Sequence, residues 1–311
     1  MKTGVLLMAY GGPNKREDIP AFYRDIRLSY AGVEPTQEMI DELIEEYDQI
    51  GGYSPLLEIT ERQAEGLRKE LNYEYPVYIG MRHWEPWIHD TIKQMKEDGI
   101  EEAVCIVMAP HFSKMSVCKY FERVYEALED QNYDLKVHRV DSWHDHSHYL
   151  EGMAQRVIEG REQFSKDIAD EDIHYLFTAH SLPAKILEYY GPYPQQLRET
   201  SELLSQKLNH QNWSFCYQSA GKSRMPWLGP DILDHVHTLA KQGQKHILVT
   251  SIGFIADHFE IINDIDIEAQ PDAEKLGMDL KRSKTLNDSP YLAKTLSDIV
   301  QTKLKEAREK V

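Results

Sequence analysis

The chain has 311 residues, with 35 Lys+Arg against 52 Asp+Glu and a formal net charge of −17. That balance argues against general nucleic-acid binding and against adhesion to anionic lipid, both of which need a basic footprint. An apolar fraction of 41% with 10% aromatics argues for a packed core and against disorder, and the length suits one large domain or two smaller ones.

The chain opens on Lys2 and the apolar run Val5-Leu6-Leu7-Met8-Ala9, which imitates the start of a signal peptide. The run is short and passes straight into Gly11-Gly12-Pro13 and charge, so it reads as a first strand. Further strands are predicted at 77–80, 103–108, 136–141, 174–179, 214–218, 246–251 and 278–281. Between them lie helical patterns near 16–28, 36–48, 58–71, 86–98, 117–129, 147–164, 192–208, 230–242, 258–268 and 289–308. Apolar strands separated by amphipathic helices are the signature of a parallel sheet covered on both faces, so the class is α/β. No apolar run approaches the ~18–20 residues of a membrane helix.

A weak echo links the halves. Glu85-Pro86-Trp87 opens a helix that runs to Gly99, then a strand, then Ala109-Pro110-His111-Phe112; Leu228-Gly229-Pro230 opens a helix that reaches Gln242-Gly243, then a strand, then Ile252-Gly253-Phe254. Two such units suit two similar Rossmann-like lobes facing a central cleft. The lobes are expected at 1–150 and 151–290, their boundary near 145–170, with a terminal helix over 291–311 that packs back across them. No stretch is rich enough in Pro, Gly or Ser to be a flexible linker.

Cys105, Cys118 and Cys216 are odd in number and widely spaced, making neither a disulfide framework nor a CxxC pair, which points to a reducing compartment. Tyr10-Gly11-Gly12-Pro13 follows a strand but is no GxGxxG, and Ser219-Ala220-Gly221-Lys222-Ser223 has Cys216 where a P-loop needs glycine. Ile50-Gly51-Gly52-Tyr53-Ser54-Pro55 reads as a helix stop and turn. No nucleotide site emerges. His83, His111 and His180 each follow a strand, where open α/β sheets bind ligands, although any one of them also suits a structural histidine. Glu260, Asp264 and Glu268 recur every four residues and form one helical stripe that Asp257 begins. The stripe is either a solvated acidic face or a set of carboxylates for a divalent metal such as Fe²⁺ or Co²⁺. Trp227, between Pro226 and the Gly229-Pro230 pair, either anchors a rigid turn or lines an apolar pocket that Tyr10, Tyr53 and Tyr120 would share.

Together these segments resemble the ferrochelatase family, most closely the coproporphyrin ferrochelatases of Gram-positive bacteria. The matching blocks are Leu6-Leu7-Met8-Ala9-Tyr10-Gly11-Gly12-Pro13, Ile50-Gly51-Gly52-Tyr53-Ser54-Pro55-Leu56, Tyr78-Ile79-Gly80-Met81-Arg82-His83 and Ala109-Pro110-His111-Phe112-Ser113. They continue with Thr178-Ala179-His180-Ser181-Leu182-Pro183, Tyr217-Gln218-Ser219, Pro226-Trp227-Leu228-Gly229-Pro230-Asp231, Gly253-Phe254-Ile255-Ala256-Asp257-His258-Phe259-Glu260 and Leu286-Asn287-Asp288-Ser289-Pro290. The blocks stand in family order over nearly the whole chain.

The resemblance implies a two-lobed chelatase that inserts Fe²⁺, as substrate, into a porphyrin in heme biosynthesis. It implies that His180 and Glu260 face each other across the cleft as the catalytic, metal-handling pair, with a histidine of near-neutral pKa accepting pyrrole protons. Tyr10 matches a residue that binds product iron, and Asp264 and Glu268 match, with Glu260, a carboxylate ladder for a second divalent metal. Arg27, Ser54 and Tyr120 match positions that hold propionates or the pocket rim, Trp227 matches the pocket wall, and His83 and Tyr47 complete the substrate set. Glu46 stands beside Tyr47 where the Gram-positive pattern has arginine. Lys114, Lys119, Arg123, Lys222 and Arg224 are further candidates for the basic ground that an anionic porphyrin needs on a protein of charge −17. The charged tail, with no cysteine beyond Cys216, implies a cytoplasmic enzyme without an iron–sulfur cluster or membrane insertion. A monomer is implied, in transient contact with neighbouring enzymes of the pathway. Met225-Pro226-Trp227 leans toward the protoporphyrin IX branch, and a non-catalytic porphyrin or heme carrier on the same fold is the alternative from another class.

Overall fold

A computed structural model of the chain describes residues 1–189, 191–221 and 225–309. Every predicted strand forms. β1 (Thr3–Ala9), β2 (Val77–Met81), β3 (Glu102–Val107) and β4 (Lys136–Val140) build one sheet in the order β2-β1-β3-β4. β5 (Ile173–His180), β6 (Trp213–Gln218), β7 (His246–Ser251) and β8 (Asp279–Arg282) build a second in the order β6-β5-β7-β8. All pairings are parallel, with Val5 opposite both Val77 and Val104, and Phe177 opposite both Phe215 and Thr250. All seven residues of β1 are buried, as expected of a central strand covered on both faces. The α/β class read from the sequence is the observed fold.

The chain divides into two compact units. The first comprises Met1–Met108, Val117–Asp141 and Leu296–Val311; the second comprises Ala109–Ser116 and Ser142–Thr295. In each, strand order reverses between the two central strands, β1 and β3 or β5 and β7. The carboxyl ends of those strands are where such sheets form ligand sites.

In the first unit the helices are α1 (Ile19–Ala31), α2 (Gln37–Asp48), α3 (Leu56–Glu70), α4 (Ile88–Glu97) and α5 (Val117–Asp130). A Pro in its first turn starts α1, and Gly32 ends it in the left-handed conformation, φ 65°, with its N–H on the Leu28 carbonyl. Thr36 caps α2 by accepting from Met39 N. The second unit holds α6 (Ser147–Arg161), α7 (Ile186–Tyr189), α8 (Tyr193–Leu208), α9 (Ile232–Lys241), α10 (Phe259–Ile261) and α11 (Gln270–Lys275). A last helix, α12 (Pro290–Glu309), begins in the second unit and ends in the first. The internal echo is carried into the backbone: α4 and α9 each follow a cis X-Pro bond, at Glu85-Pro86 and Gly229-Pro230, and an isolated parallel bridge, Met81–Trp87 or Tyr217–Asp231.

Three features depart from the sequence reading, the first being that the helical stretch expected to stop at 268 runs on through α11 to Lys275. The short α7 carried no visible period. The helix expected over 258–268 is a turn of α-helix followed by a π-helix, Ile262–Ala269. Its wider i→i+5 turn brings every fourth residue to one side, so Ile261, Ile265 and Ala269 all reach the apolar core against Val236 and Val249. The acidic residues one position earlier, Glu260, Asp264 and Glu268, share the neighbouring side.

Candidate active site

In the second unit, β5 ends on His180. Just after β7, Gly253 passes so close that a Cβ there would lie 2.5 Å from the Ala179 Cβ, which leaves no room for a side chain. His180 donates from Nδ1 to the Ser181 carbonyl, and Tyr193 Oη donates to the His180 carbonyl at 2.9 Å. The ring so fixed brings Nε2 to 3.5 Å from Glu260 Oε1, each side chain about one-third exposed (32%). His258 Nε2 stands 3.5 Å from the other Glu260 oxygen, its Nδ1 donating to the Ala256 carbonyl at 3.0 Å. The pair is therefore in direct contact within one unit, and not across a cleft as the resemblance implied.

Burial disfavours the charged form of His180, but the Glu260 carboxylate, its hydrogen bond and the Ser181 carbonyl outweigh it and raise the imidazole to about 9. Glu260 is held far below the usual carboxylate range against its own burial, by His180 first and His258 second. At neutral pH the pair is imidazolium and carboxylate. A histidine poised near neutrality was the expectation; the adjacent carboxylate is what moves it.

A buried polar network aims the π-helix at this pair. Gln218, at the end of β6, accepts from Thr178 Oγ1 at 2.8 Å and Ser251 Oγ at 3.3 Å through Oε1, which fixes its amide. Its Nε2 then donates to the Asp264 carboxylate at 3.2 Å and the Glu260 carbonyl at 3.4 Å, and Ser219 Oγ donates to the same Asp264 oxygen. Burial, with Glu260 and Glu268 adding to it, lifts Asp264 to about 6 against those two donors. Glu268 is exposed and accepts from Asn263 Nδ2 at 3.0 Å. It borders a surface groove of about 740 Å³ beside the His237–Asp272 pair.

Asp257 does not begin the stripe. It precedes the helix and is bound by Arg282 Nη1 at 2.9 Å and Asn287 Nδ2 at 2.8 Å, which makes it a structural anion. Among the described residues no three His, Cys, Asp or Glu side chains form a group that could hold a metal ion. The remaining carboxylates stand in series. Trp227 packs on Gly221, where a Cβ would fall 2.5 Å from the indole, and Leu228 beside it is tied to the loop after His180 through Leu182 and Ser181.

The first unit carries a different cluster at the ends of β1 and β2. Backbone bonds Arg82 N to Ala9 O and His83 N to Tyr10 O, both 2.9 Å, extend the strand pairing past the sheet. His83 is fully buried, its ring 4.6 Å from that of Tyr10, and its Nδ1 lies 2.7 Å from Asp25. Burial outweighs Asp25 and, with Arg82, holds His83 below its ordinary value; among the described residues no partner reaches Nε2. The Arg82 guanidinium lies 5.1 Å from the Tyr30 ring and 5.6 Å from that of Tyr120. Arg27 Nε is likewise buried without an acceptor among the described residues. Ser54 presses on Gly12 and accepts from Leu56 N at 3.3 Å at the start of α3. Tyr47 is buried in α2 and Glu46 is partly exposed beside it.

Of the three strand-end histidines, His111 is a structural one: Nε2 donates to Thr200 Oγ1 at 2.9 Å, and burial first, then His144, holds it neutral. Lys119 pairs with Glu122, Arg123 with Glu126, and Lys114 is exposed; Lys222 and Arg224 lie outside the described residues. His258, Gln218, Asp25, Tyr30 and Arg82 were not singled out as site residues by sequence. A polar residue closing an apolar strand, as Gln218 closes β6, was the available signal.

The fold is that of tetrapyrrole metal chelatases. The sirohydrochlorin chelatase SirB from Bacillus subtilis, solved with cobalt, superposes with a TM-score of 0.59 at 10% identity, covering 99% of this chain and 98% of its own. SirB with Fe³⁺ gives 0.63 at the same identity and coverage. The family model for ferrochelatase matches residues 2–304, and the chain belongs to the ferrochelatase family, metal-chelatase lyases. A ferrochelatase of Deinococcus radiodurans is 42% identical over 308 residues, covering 97% of this chain and 96% of its own. The coproporphyrin III ferrochelatase of Halalkalibacterium halodurans is 39% identical over 312 residues, covering 98% of each. Among the described residues no helix is long and apolar enough to cross a membrane.

Proposed function

We propose that the chain inserts Fe²⁺ into coproporphyrin III, giving Fe-coproporphyrin III for heme biosynthesis, with His180 and Glu260 as the pair that handles metal and protons. The observation that carries this reading is their contact at 3.5 Å at the carboxyl end of β5. Glu260 is a carboxylate at neutral pH and draws a divalent cation. The positive charge of that cation weakens the hold on the His180 proton, which passes to solvent water, and the neutral imidazole then takes the two pyrrole N–H protons in turn, handing each on to water as the iron enters. The pyrrole keeps the electron pair and offers it to the iron. Asp264 and Glu268, in series behind Glu260, offer an approach for the metal or a place for a second divalent ion.

In the same reading Tyr10 binds product iron, and Arg27, Glu46, Tyr47, Ser54, His83, Tyr120 and Trp227 hold the ring and its propionates. The relatives named coproporphyrin III ferrochelatase, from Halalkalibacterium and Listeria among others, support the substrate. The protein acts as a cytoplasmic monomer without an iron–sulfur cluster.

An anaerobic absorbance assay with Fe²⁺, run in parallel on coproporphyrin III and protoporphyrin IX, tests the proposal. Faster conversion of coproporphyrin III is expected. Preference for protoporphyrin IX would keep the chemistry and overturn the substrate, and binding of either ring with no insertion would favour a carrier.

A further inference from the structure

We infer that Arg82 anchors one carboxylate of the porphyrin, and that Tyr30 covers Arg82 until the carboxylate takes its place. The inference rests on the chelatase reading and adds to it a specificity residue and a gate. Arg82 is 6% exposed, yet no acceptor reaches its Nε and no ion pair joins it to a carboxylate among the described residues. The nearby acid, Asp25, is committed to His83 Nδ1 at 2.7 Å. What surrounds the guanidinium is aromatic: Tyr30 on one side and Tyr120 on another.

A buried cation without a counter-ion is costly, and rings offset that cost only in part. The chemistry that completes the site is a planar anion accepting two parallel N–H bonds, a carboxylate. The two tyrosines differ in freedom. Tyr120 is 5% exposed within α5, whereas Tyr30 is 53% exposed on the last turn of α1, one residue before Ala31 and the Gly32 cap. Tyr30 also lies 5.8 Å from the His83 ring, so the same side chain stands beside two groups that each bury a nitrogen with no hydrogen-bond partner among the described residues, Arg82 Nε and His83 Nε2. Leu28 and Val33 beside it are exposed as well, at 42% and 50%. The Tyr30 ring is therefore a thin cover whose swing, on a helix end held by Ser29 to Arg123, costs little burial.

The test is metal-free binding, followed by porphyrin fluorescence, with coproporphyrin III and its tetramethyl ester, which keeps the ring and removes the charges. Arg82→Met should weaken coproporphyrin III about tenfold or more and leave the ester unchanged, as expected for loss of a charge-assisted pair. Arg82→Lys should recover part of the loss. Tyr30→Ala should tighten the acid about threefold, the equivalent of one exposed cation–π contact. Equal weakening of acid and ester by Arg82→Met, or no weakening, overturns the anchor; weaker binding of both by Tyr30→Ala overturns the cover. Arg82→Met should melt no lower than the parent, since it removes an unpaired buried charge, and Arg82→Lys carries the test if it does not fold. Parent protein that binds coproporphyrin III without inserting Fe²⁺ fails the catalytic reading but leaves the Arg82 comparison intact.

Discussion

The two units share one topology and end their first central strands on different chemistry: β1 leads into Tyr10, while β5 closes on His180. Around His180 the charges balance within the unit. The imidazolium faces Glu260, and Gln218 has partners at both ends of its amide. Around Tyr10 they do not. Among the described residues no partner reaches the buried His83 Nε2 or Arg82 Nε there, nor Arg27 Nε in α1, and a buried polar atom calls for a partner. The sheet supplies a place at the strand ends and leaves the chemistry to the few residues beyond the last ladder bond. One strand end holds an imidazolium against a carboxylate; the other buries nitrogens that no acceptor reaches among the described residues.

Changes on either side can sharpen that contrast. The largest effect is expected from His180→Ala, which should slow Fe²⁺ insertion about a thousandfold while porphyrin fluorescence still reports binding. A variant that kept most of its activity would remove His180 from proton handling. Glu260→Gln should slow insertion about a hundredfold and also lower the His180 pKa from about 9, because burial then acts without its opposing charge. An NMR titration of the imidazole reads this directly, and a value still near 9 would show that Glu260 is not the cause.

Packing at the strand ends should fail unequally. Gly253→Ala forces a Cβ to within 2.5 Å of the Ala179 Cβ and 3.0 Å of its Cα, both fixed by β5, and should cost about 3 kcal/mol in urea unfolding. Gly12→Ala meets the Ser54 Cβ at 2.6 Å in a loop, which can shift, and should cost about 1–2 kcal/mol. Equal costs would mean that the two strand ends are equally rigid.

The smallest effect is in pH dependence. His111 is neutral when folded because its pKa is depressed, so the unfolded chain takes up the proton first. Its contribution is full above the unfolded value near 6.5 and is lost as pH falls, by up to about 1.4 kcal/mol per pH unit. His111→Gln, which keeps a donor for Thr200, should flatten the fall in Tm between about pH 6.5 and 5. An unchanged slope would assign the acid sensitivity to other buried histidines, such as His83 or His174.

Much of the molecule was legible in the chain. The central strands announced themselves as apolar runs because they are buried on both faces, while the edge strands β4 and β8 are polar and part-buried and left a fainter signal, and His180 and Glu260 stood in recognisable blocks. The π-helix was not legible. A four-residue spacing of Glu260, Asp264 and Glu268 is as compatible with an α-helical stripe as with the wider turn, and so is that of Ile261, Ile265 and Ala269, which the core buries. Asp257 looked like the first rung for the same reason, until Arg282 and Asn287, some 25 to 30 residues further on, claimed it.

What the sequence by itself determined is the class, the strand set and the family, since these depend on local period and on blocks that keep their order. Tertiary structure alone decided which groups carry charge. The proton on His180, the ionised Glu260, the neutral His111 and the unpaired Arg82 follow from burial and from neighbours distant in the chain. Electrostatic energy depends on distance in space and on exclusion of water, and neither is written in the order of residues.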